Sequence, residues 1–371
     1  MARRRVPNFC FEYVEGGSED EATLRRNREV FSNIAFQPRT LVDVTVRNQR
    51  RRLLGEEIAS PFLIGPTGFS GLLSREGDVS MARAAASAGI PFVLTNVSTT
   101  SLEEVVRRAG ADARVWMQVY MYRTREFVEK IARRAQDAGI GTLVLTTDSA
   151  IYGKREWDVR NFSGTLSLNW RNKIDVIRHP RWIFDILFPH GFPHFANVGD
   201  LLPPGQTSVR GAASSMIGQS LDPSLCWRDV EWLRDIWPGK LVIKGVMNAQ
   251  DAVRAISVGA DGIVLSNHGG RQLDGALSTM DVLPEVVAEV QGRLAVMLDG
   301  GFRRGSDIVK AVALGADAVL VGRATTYGLA AGGQAGAERA IEILRSEIDR
   351  VLGLMGCPDL SQVDQSYLRA I

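Results

Sequence analysis

The sequence predicts an α/β fold, a (β/α)8 barrel, and three observations carry that prediction. Short apolar runs that read as buried parallel strands recur eight times, the number that closes such a barrel. Most are followed by an amphipathic segment rich in Ala, Arg and Glu, the pattern of a helix laid on a sheet. The runs end in polar or glycine residues, and barrels of this class carry their chemistry at those ends.

Residues 1–60 read as an N-terminal helical extension. Pro7 to Val14 and Glu19 to Phe31 look helical, with Gly16-Gly17 as a break and Ser18 as an N-cap. The barrel is expected over 61–330, its strands starting near Pro61, Pro91, Val115, Thr142, Leu241, Gly262, Leu294 and Ala318. Helices are expected at Gly77 to Ala88, Thr124 to Ala138, Ala249 to Val258 and Ser306 to Leu314. Gly-Ala-Asp recurs before a strand at Gly259-Ala260-Asp261 and Gly315-Ala316-Asp317, and reads as a turn with Gly just past a helix. Strand starts lie about 20 to 30 residues apart, except that about 90 residues separate the fourth strand from the fifth. The helix due after strand four is placed at Ser224 to Trp237. That leaves about 150–222 as an insertion, and an insertion of such length is usually functional or disordered. Residues 331–371 read as a C-terminal helical segment, and 1–371 as a single domain.

Forty-four basic against 42 acidic residues, dispersed along the chain, argue against a nucleic-acid binder. Three distant cysteines, Cys10, Cys226 and Cys357, read as reduced thiols of a cytosolic compartment. The basic start has no apolar stretch behind it, and no run is long enough to span a membrane. No metal is expected: His190 and His194 lie four apart, but Gly191 and Pro193 break any helix that would align them.

The chemistry concentrates at the strand ends, in Gly65-Pro66-Thr67-Gly68, Thr95-Asn96, Gln118-Val119-Tyr120, Thr146-Thr147-Asp148, Lys244-Gly245, Ser266-Asn267-His268, Asp299-Gly300-Gly301 and Gly322-Arg323. His268 is the only one of four histidines placed at a strand end, and Arg271 follows three residues later. An imidazole titrates near neutrality and a guanidinium does not, so the pair suits proton transfer beside a bound carboxylate. A polar surface turn is the plain alternative. Gly300-Gly301-Phe302-Arg303-Arg304-Gly305 and Gly322-Arg323 follow strands seven and eight, where barrels bind phosphate through backbone N–H groups, a helix start and Arg. Arginines on a solvated helix start would look the same. Lys244 lies inside the apolar run Val242–Val246, and a buried ammonium needs an anionic or strongly polar partner.

Ser266-Asn267-His268-Gly269-Gly270-Arg271-Gln272 resembles the signature of the FMN-dependent L-2-hydroxy acid dehydrogenase/oxidase family. The resemblance covers nearly the whole chain, through Phe11-Glu12-Tyr13 with Gly16-Gly17, the strand ends already named, and Asp299-Gly300-Gly301 with Arg303-Arg304-Gly305. Within the family the chain is most similar to the members that oxidise (S)-mandelate, then to the bacterial L-lactate dehydrogenases. It departs from the glycolate-oxidising members, which carry Ala at Gly68, a second Tyr at Val14 and Trp at Val97. The resemblance implies FMN stacked on Pro66, Thr67 and Gly68, with Thr95, Gln118, Thr146 and Ser266 at its ring edge or ribityl chain. It implies Lys244 near the pyrimidine end, Asp299 on the ribityl hydroxyls, and Gly301, Arg303, Gly322 and Arg323 on the phosphate. For the substrate it implies Arg271 and Arg155 on the carboxylate, and Tyr13 and Tyr120 on the carboxylate or 2-hydroxyl. His268 would be the base and Asp148 its partner, making His268, Asp148 and Tyr120 the catalytic set. The implied reaction oxidises a 2-hydroxy acid to its 2-oxo acid.

Residues 169–199 interleave Trp170, Trp182, Phe184, Phe188, Phe192 and Phe195 with Arg171, Lys173, Arg178 and Arg181. That composition suits a membrane interface, and a lid or subunit contact is the alternative. Similar segments in the mandelate and lactate branches imply peripheral attachment to the inner face of the cell membrane and quinone as electron acceptor, and the family, commonly tetrameric, implies a homotetramer. An oxygen-using oxidase remains a competing reading, as does a non-redox class, an FMN-containing isomerase or a phosphate-binding barrel without flavin.

Overall fold

The computed structural model describes residues 1–163, 167–188, 191–202 and 217–371. Eight parallel strands close a barrel: β1 (Phe62–Ile64), β2 (Phe92–Thr95), β3 (Val115–Tyr120), β4 (Thr142–Thr146), β5 (Lys240–Val246), β6 (Gly262–Leu265), β7 (Ala295–Leu298) and β8 (Ala318–Val321). The circle is sequential, and β8 pairs with β1 through Leu320↔Leu63.

Alternation along the strands builds two cores. Leu63, Val93, Trp116, Val144, Val242, Val264, Met297 and Leu320 fill the barrel interior. Their neighbours, such as Ile64, Leu94, Leu143, Leu145, Ile263 and Leu298, face the helices in a second, larger cluster. Below the barrel an antiparallel hairpin, Arg51–Leu53 with Glu56–Ile58, pushes Leu53 and Ile58 into the interior core. The N-terminal extension therefore contains strands as well as helices. A third strand in it, Ile34–Phe36, pairs with Leu368–Ala370 at the other end of the chain.

The N-terminal helices run Asn8–Glu15 and Ala22–Glu29. Ser18 is not the N-cap that the sequence suggests. Its backbone N–H is drawn to the Gly270 carbonyl at 2.9 Å, its hydroxyl is buried without a partner among the described residues, and Glu21 at φ +60° precedes the helix. The helix after the insertion spans Trp227–Ile236, shorter than expected, because Asp229 accepts from the Cys226 backbone N–H and starts it there. The two Gly-Ala-Asp turns carry Gly259 and Gly315 at φ +74° and +102°, just past their helices. After β8 a helical stretch, Arg323–Met355, breaks at Gly332 and Gly333.

Between β4 and β5 the described part of the insertion holds short helices, Glu156–Asn161, Trp170–Ile177 and Pro180–Trp182, and a π-helical turn, Ile183–Leu187. His190 lies outside the described residues, so the His190–His194 spacing has no structural counterpart here. No helix among the described residues is long and apolar enough to cross a membrane.

Candidate active site

A cleft of about 1070 Å³, its mouth included, opens at the C-terminal ends of the strands. Tyr13, Pro66, Thr67, Gly68, Thr95, Tyr120, Thr146, Arg155, Lys244, His268, Arg271, Asp299, Gly301, Arg303, Gly322 and Arg323 all line it. The remaining three expected residues, Gln118, Asp148 and Ser266, stand one layer behind. Gln118 accepts from Thr95 at 2.7 Å and donates to Thr146 at 3.0 Å, tying two lining hydroxyls together.

Strand register explains this convergence. Thr95 pairs with Gln118, Tyr120 with Thr146 and Thr146 with Lys244, so adjacent strands deliver polar groups at one level. On β5 the pairing with β6 slips between Lys244 and Val246, a bulge that Gly245 at φ +112° permits. A side chain on Gly245 would strike the Asp148 backbone N at 2.8 Å.

Lys244 is buried with its counter-charge in place. Its ammonium lies 3.0 Å from Asp299 and donates to Ser266 at 2.7 Å, and Ser266 donates on to Asp299 at 2.8 Å. Burial pushes this ammonium towards losing its proton, but Asp299 and Asp148 outweigh that and hold its pKa above the usual lysine value.

His268 stands just past β6 with φ +57°, a left-handed backbone that a non-glycine residue seldom adopts. Its Nδ1 lies 2.9 Å from Asp148 Oδ1. Burial pulls the imidazole below its usual value against the upward pull of Asp148, so near pH 7 it is neutral. Burial pushes Asp148 up, yet His268, Lys244 and Ser149 hold it at about 2 as a carboxylate. The carboxylate thus orients Nδ1 and leaves Nε2 as the basic nitrogen. Burial raises the Tyr13 and Tyr120 hydroxyls above the usual phenol value, so both remain donors.

The cleft's charge indicates which ligands suit it. Four guanidinium groups, Arg155, Arg271, Arg303 and Arg323, reach it. Among the described residues none has a carboxylate within 4.0 Å. They rest instead on rings and carbonyls. Arg155 lies over Tyr152, Arg271 over Tyr13 and Arg303 over Tyr327, while Arg323 donates to the carbonyls of Val14, Gly269 and Gly16. Burial, then the charges of Arg271 and Arg303, push Arg323 down to about 9. Holding four cations together carries a cost that the carboxylates of Asp158, acting on Arg155 and Arg271, and of Glu15, acting on Arg303 and Arg323, offset in part without forming an ion pair. An anionic ligand offsets that cost, and the residues present fit two: a phosphate and a carboxylate.

Of the two helix starts that the sequence suggests for phosphate, the first has its amides engaged and the second faces the cleft. The helix Gly305–Ala313 has its leading amides taken: Asp307 accepts from Arg303 and Arg304, and Glu347 accepts from Gly305. The helix beginning at Arg323 has no side-chain cap, and its Gly322 and Arg323 face the cleft.

Lining residues that the sequence reading passed over include Phe69, Tyr152 and Thr326. Phe69, at φ +62°, packs edge-on against Tyr13 and against Phe195 of the insertion. Tyr152 stands in the insertion outside any strand rhythm, and only the neighbouring Arg155 hinted at it. A side chain on Gly68 would meet Val97 at 3.1 Å and the Tyr13 hydroxyl at 3.4 Å, so the cleft floor there is shaped to glycine.

The insertion has two faces. Trp182, Ile186 and Phe195 are buried, and the Trp182 indole N–H donates to the Leu72 carbonyl at 2.7 Å. Trp170, Ile174, Ile177, Phe184 and Phe188 are exposed among Arg171, Lys173, Arg178 and Arg181.

Comparison with known proteins agrees with this geometry. Residues 2–370 match the FMN-dependent dehydrogenase family. The chain is 45% identical over 370 residues to (S)-mandelate dehydrogenase of Pseudomonas putida, covering 100% of this chain and 92% of that one. It is 39% identical over 368 residues to L-lactate dehydrogenase of Chromohalobacter salexigens, covering 99% and 93%. The crystal structure of the monotopic membrane protein (S)-mandelate dehydrogenase superposes with a TM-score of 0.93 at 44% identity, covering 100% of this chain and 97% of that one.

Proposed function

The chain belongs to the FMN-dependent dehydrogenase family and acts on 2-hydroxy acids with FMN as cofactor, and from that premise we propose that it oxidises (S)-mandelate or a related aryl 2-hydroxy acid to the 2-oxo acid. The observation that carries this reading is His268, 2.9 Å from Asp148, in a cleft that four guanidinium groups reach.

Bound FMN supplies the two-electron oxidant. Pro66, Thr67 and Gly68 would form the floor under the flavin, and Thr95 and Thr146, with Gln118 and Ser266 behind the lining, would furnish polar contacts. Lys244 would bring positive charge to the flavin, Asp299 would take ribityl hydroxyls, and Gly301, Arg303, Gly322 and Arg323 would hold the phosphate. Arg271 and Arg155 grip the substrate carboxylate, each able to form paired hydrogen bonds. Tyr13 and Tyr120 donate to the carboxylate or the 2-hydroxyl. His268 takes a proton from the substrate at Nε2, and Asp148 stabilises the imidazolium through Nδ1. The buried, preorganised donors act more strongly here than they would in water.

Anaerobic addition of mandelate, lactate, glycolate and a long-chain 2-hydroxy acid tests the reading. Mandelate should bleach the yellow protein fastest, and persistence of colour with all four contradicts the assignment. L-lactate is the second reading, favoured by the 39% identity to an L-lactate dehydrogenase over nearly the whole chain.

The exposed aromatic and basic face of the insertion supports peripheral attachment to a membrane; the inner face of the cell membrane, membrane quinone as acceptor and a homotetrameric assembly are proposed with it on the family resemblance alone. Hydrogen peroxide yield in air separates quinone use, which predicts little, from oxidase activity, which predicts one per turnover. Light scattering reads the assembly.

A further inference from the structure

His268, Gly269 and Gly270 hold three successive left-handed backbone conformations, at φ +57°, +65° and +77°. A non-glycine residue so placed is strained by roughly 1–3 kcal/mol and keeps its conformation only where the surroundings over-determine it. The surroundings here are a helix from outside the barrel. Asn27, fully buried on Ala22–Glu29, exchanges two hydrogen bonds with Asn267: Asn27 Nδ2 donates to Asn267 Oδ1 at 2.9 Å, and Asn267 Nδ2 donates to Asn27 Oδ1 at 2.8 Å. Asn267 Oδ1 also accepts from the Gly270 backbone N–H at 3.1 Å, which folds the turn back on itself.

The same helix is fixed at both ends to the loops it braces. Asp274 accepts from the backbone N–H groups of Ala22 and Thr23, at 3.1 and 2.8 Å, just beyond the turn. At the other end Arg28 donates to the Gly301 carbonyl and lies 2.6 Å from Asp307, reaching the loop after β7. Side chains on Gly270 or Gly301 would run into the backbone of Leu24 or Asn27. We propose that Asn27 is a positioning residue for the reaction: through Asn267 it holds the His268–Arg271 turn in its strained form, so that imidazole and guanidinium face the same substrate. This rests on His268 being the base.

Two variants test it, Asn27→Leu, which removes both amide bonds, and Asn27→Asp, which keeps only the one accepted from Asn267. Flavin reduction by (S)-mandelate is followed anaerobically and normalised to bound FMN, and amide hydrogen exchange over Gly269 to Leu273 is measured on the same flavin-loaded samples. Asn27→Leu should lower the rate about 10- to 100-fold, the scale of a misplaced reacting group, with KM changed much less. Asn27→Asp should fall between it and the parent, and exchange should quicken in that turn while the barrel strands stay protected. A parent-like rate per bound flavin, or unchanged exchange in the turn, overturns the proposal. Loss of rate explained wholly by loss of flavin overturns it too. A parent protein that no 2-hydroxy acid bleaches overturns the functional reading instead, and the brace is then judged on exchange alone.

Discussion

The His268–Asp148 contact at 2.9 Å sets what single substitutions should do. His268→Gln should keep FMN and slow flavin reduction by about 10²–10⁴-fold, the usual worth of a general base. Stopped-flow absorbance reads it. The pH profile follows from the direction of the His268 shift. The base works when neutral and burial lowers its pKa, so the rate should fall on the acid side with a midpoint below that of an ordinary imidazole. Asp148 raises that pKa, so Asp148→Asn should move the acid limb lower still while slowing the reaction, because the imidazolium loses its counter-charge. Pre-steady-state rates from pH 5 to 8 check both. Arg323→Met should weaken FMN retention, read by flavin fluorescence after dilution, and a flavin affinity equal to the parent's would remove Arg323 from the phosphate site. His268, Arg271 and Lys244 stood out in the sequence because a charged or titratable group at the end of an apolar run is visible without any structure. Asn27, Ser149 and Tyr152 did not, since each acts through a neighbour far along the chain or outside any periodic element.

The strands were legible because each is a short apolar run stopped by glycine or a polar group, and the helices because amphipathic spacing survives without tertiary context. Helix starts were less so. Ser18 looks like a cap, but a tertiary bond from its backbone to Gly270 reorients it, and the hairpin Arg51–Leu53/Glu56–Ile58 is too short and charged to announce itself. The insertion mixes two roles that composition alone merges. Its buried face packs Phe195 against Phe69 of the cleft wall and ties Trp182 to the Leu72 carbonyl behind it. Its exposed face carries Phe184 and Phe188, 66% and 64% exposed, beyond what packing requires. Changing Phe184 and Phe188 to Ser should therefore reduce sedimentation with anionic lipid vesicles and leave flavin reduction near the parent rate. Vesicle binding that stays unchanged would locate the membrane contact elsewhere.

At the scale of the whole molecule, the barrel gathers four arginines that form no ion pair among the described residues, so an anionic ligand suits the cleft. Any ligand that binds only the folded state stabilises it, by about 2.7 kcal/mol at a hundred times its Kd. Apoprotein should accordingly gain several degrees in melting temperature with FMN, and a smaller gain with inorganic phosphate alone. Riboflavin, which lacks the phosphate, should do less than FMN, and equal shifts would remove the phosphate from the account. The most direct test compares the parent and His268→Gln, each loaded with FMN, on anaerobic mixing with (S)-mandelate. The parent should lose its absorbance near 450 nm within the dead time or shortly after, and the variant should keep it on that timescale. Rapid bleaching of the variant, or none in the parent, would contradict the assignment of His268 as the base of a 2-hydroxy acid dehydrogenase.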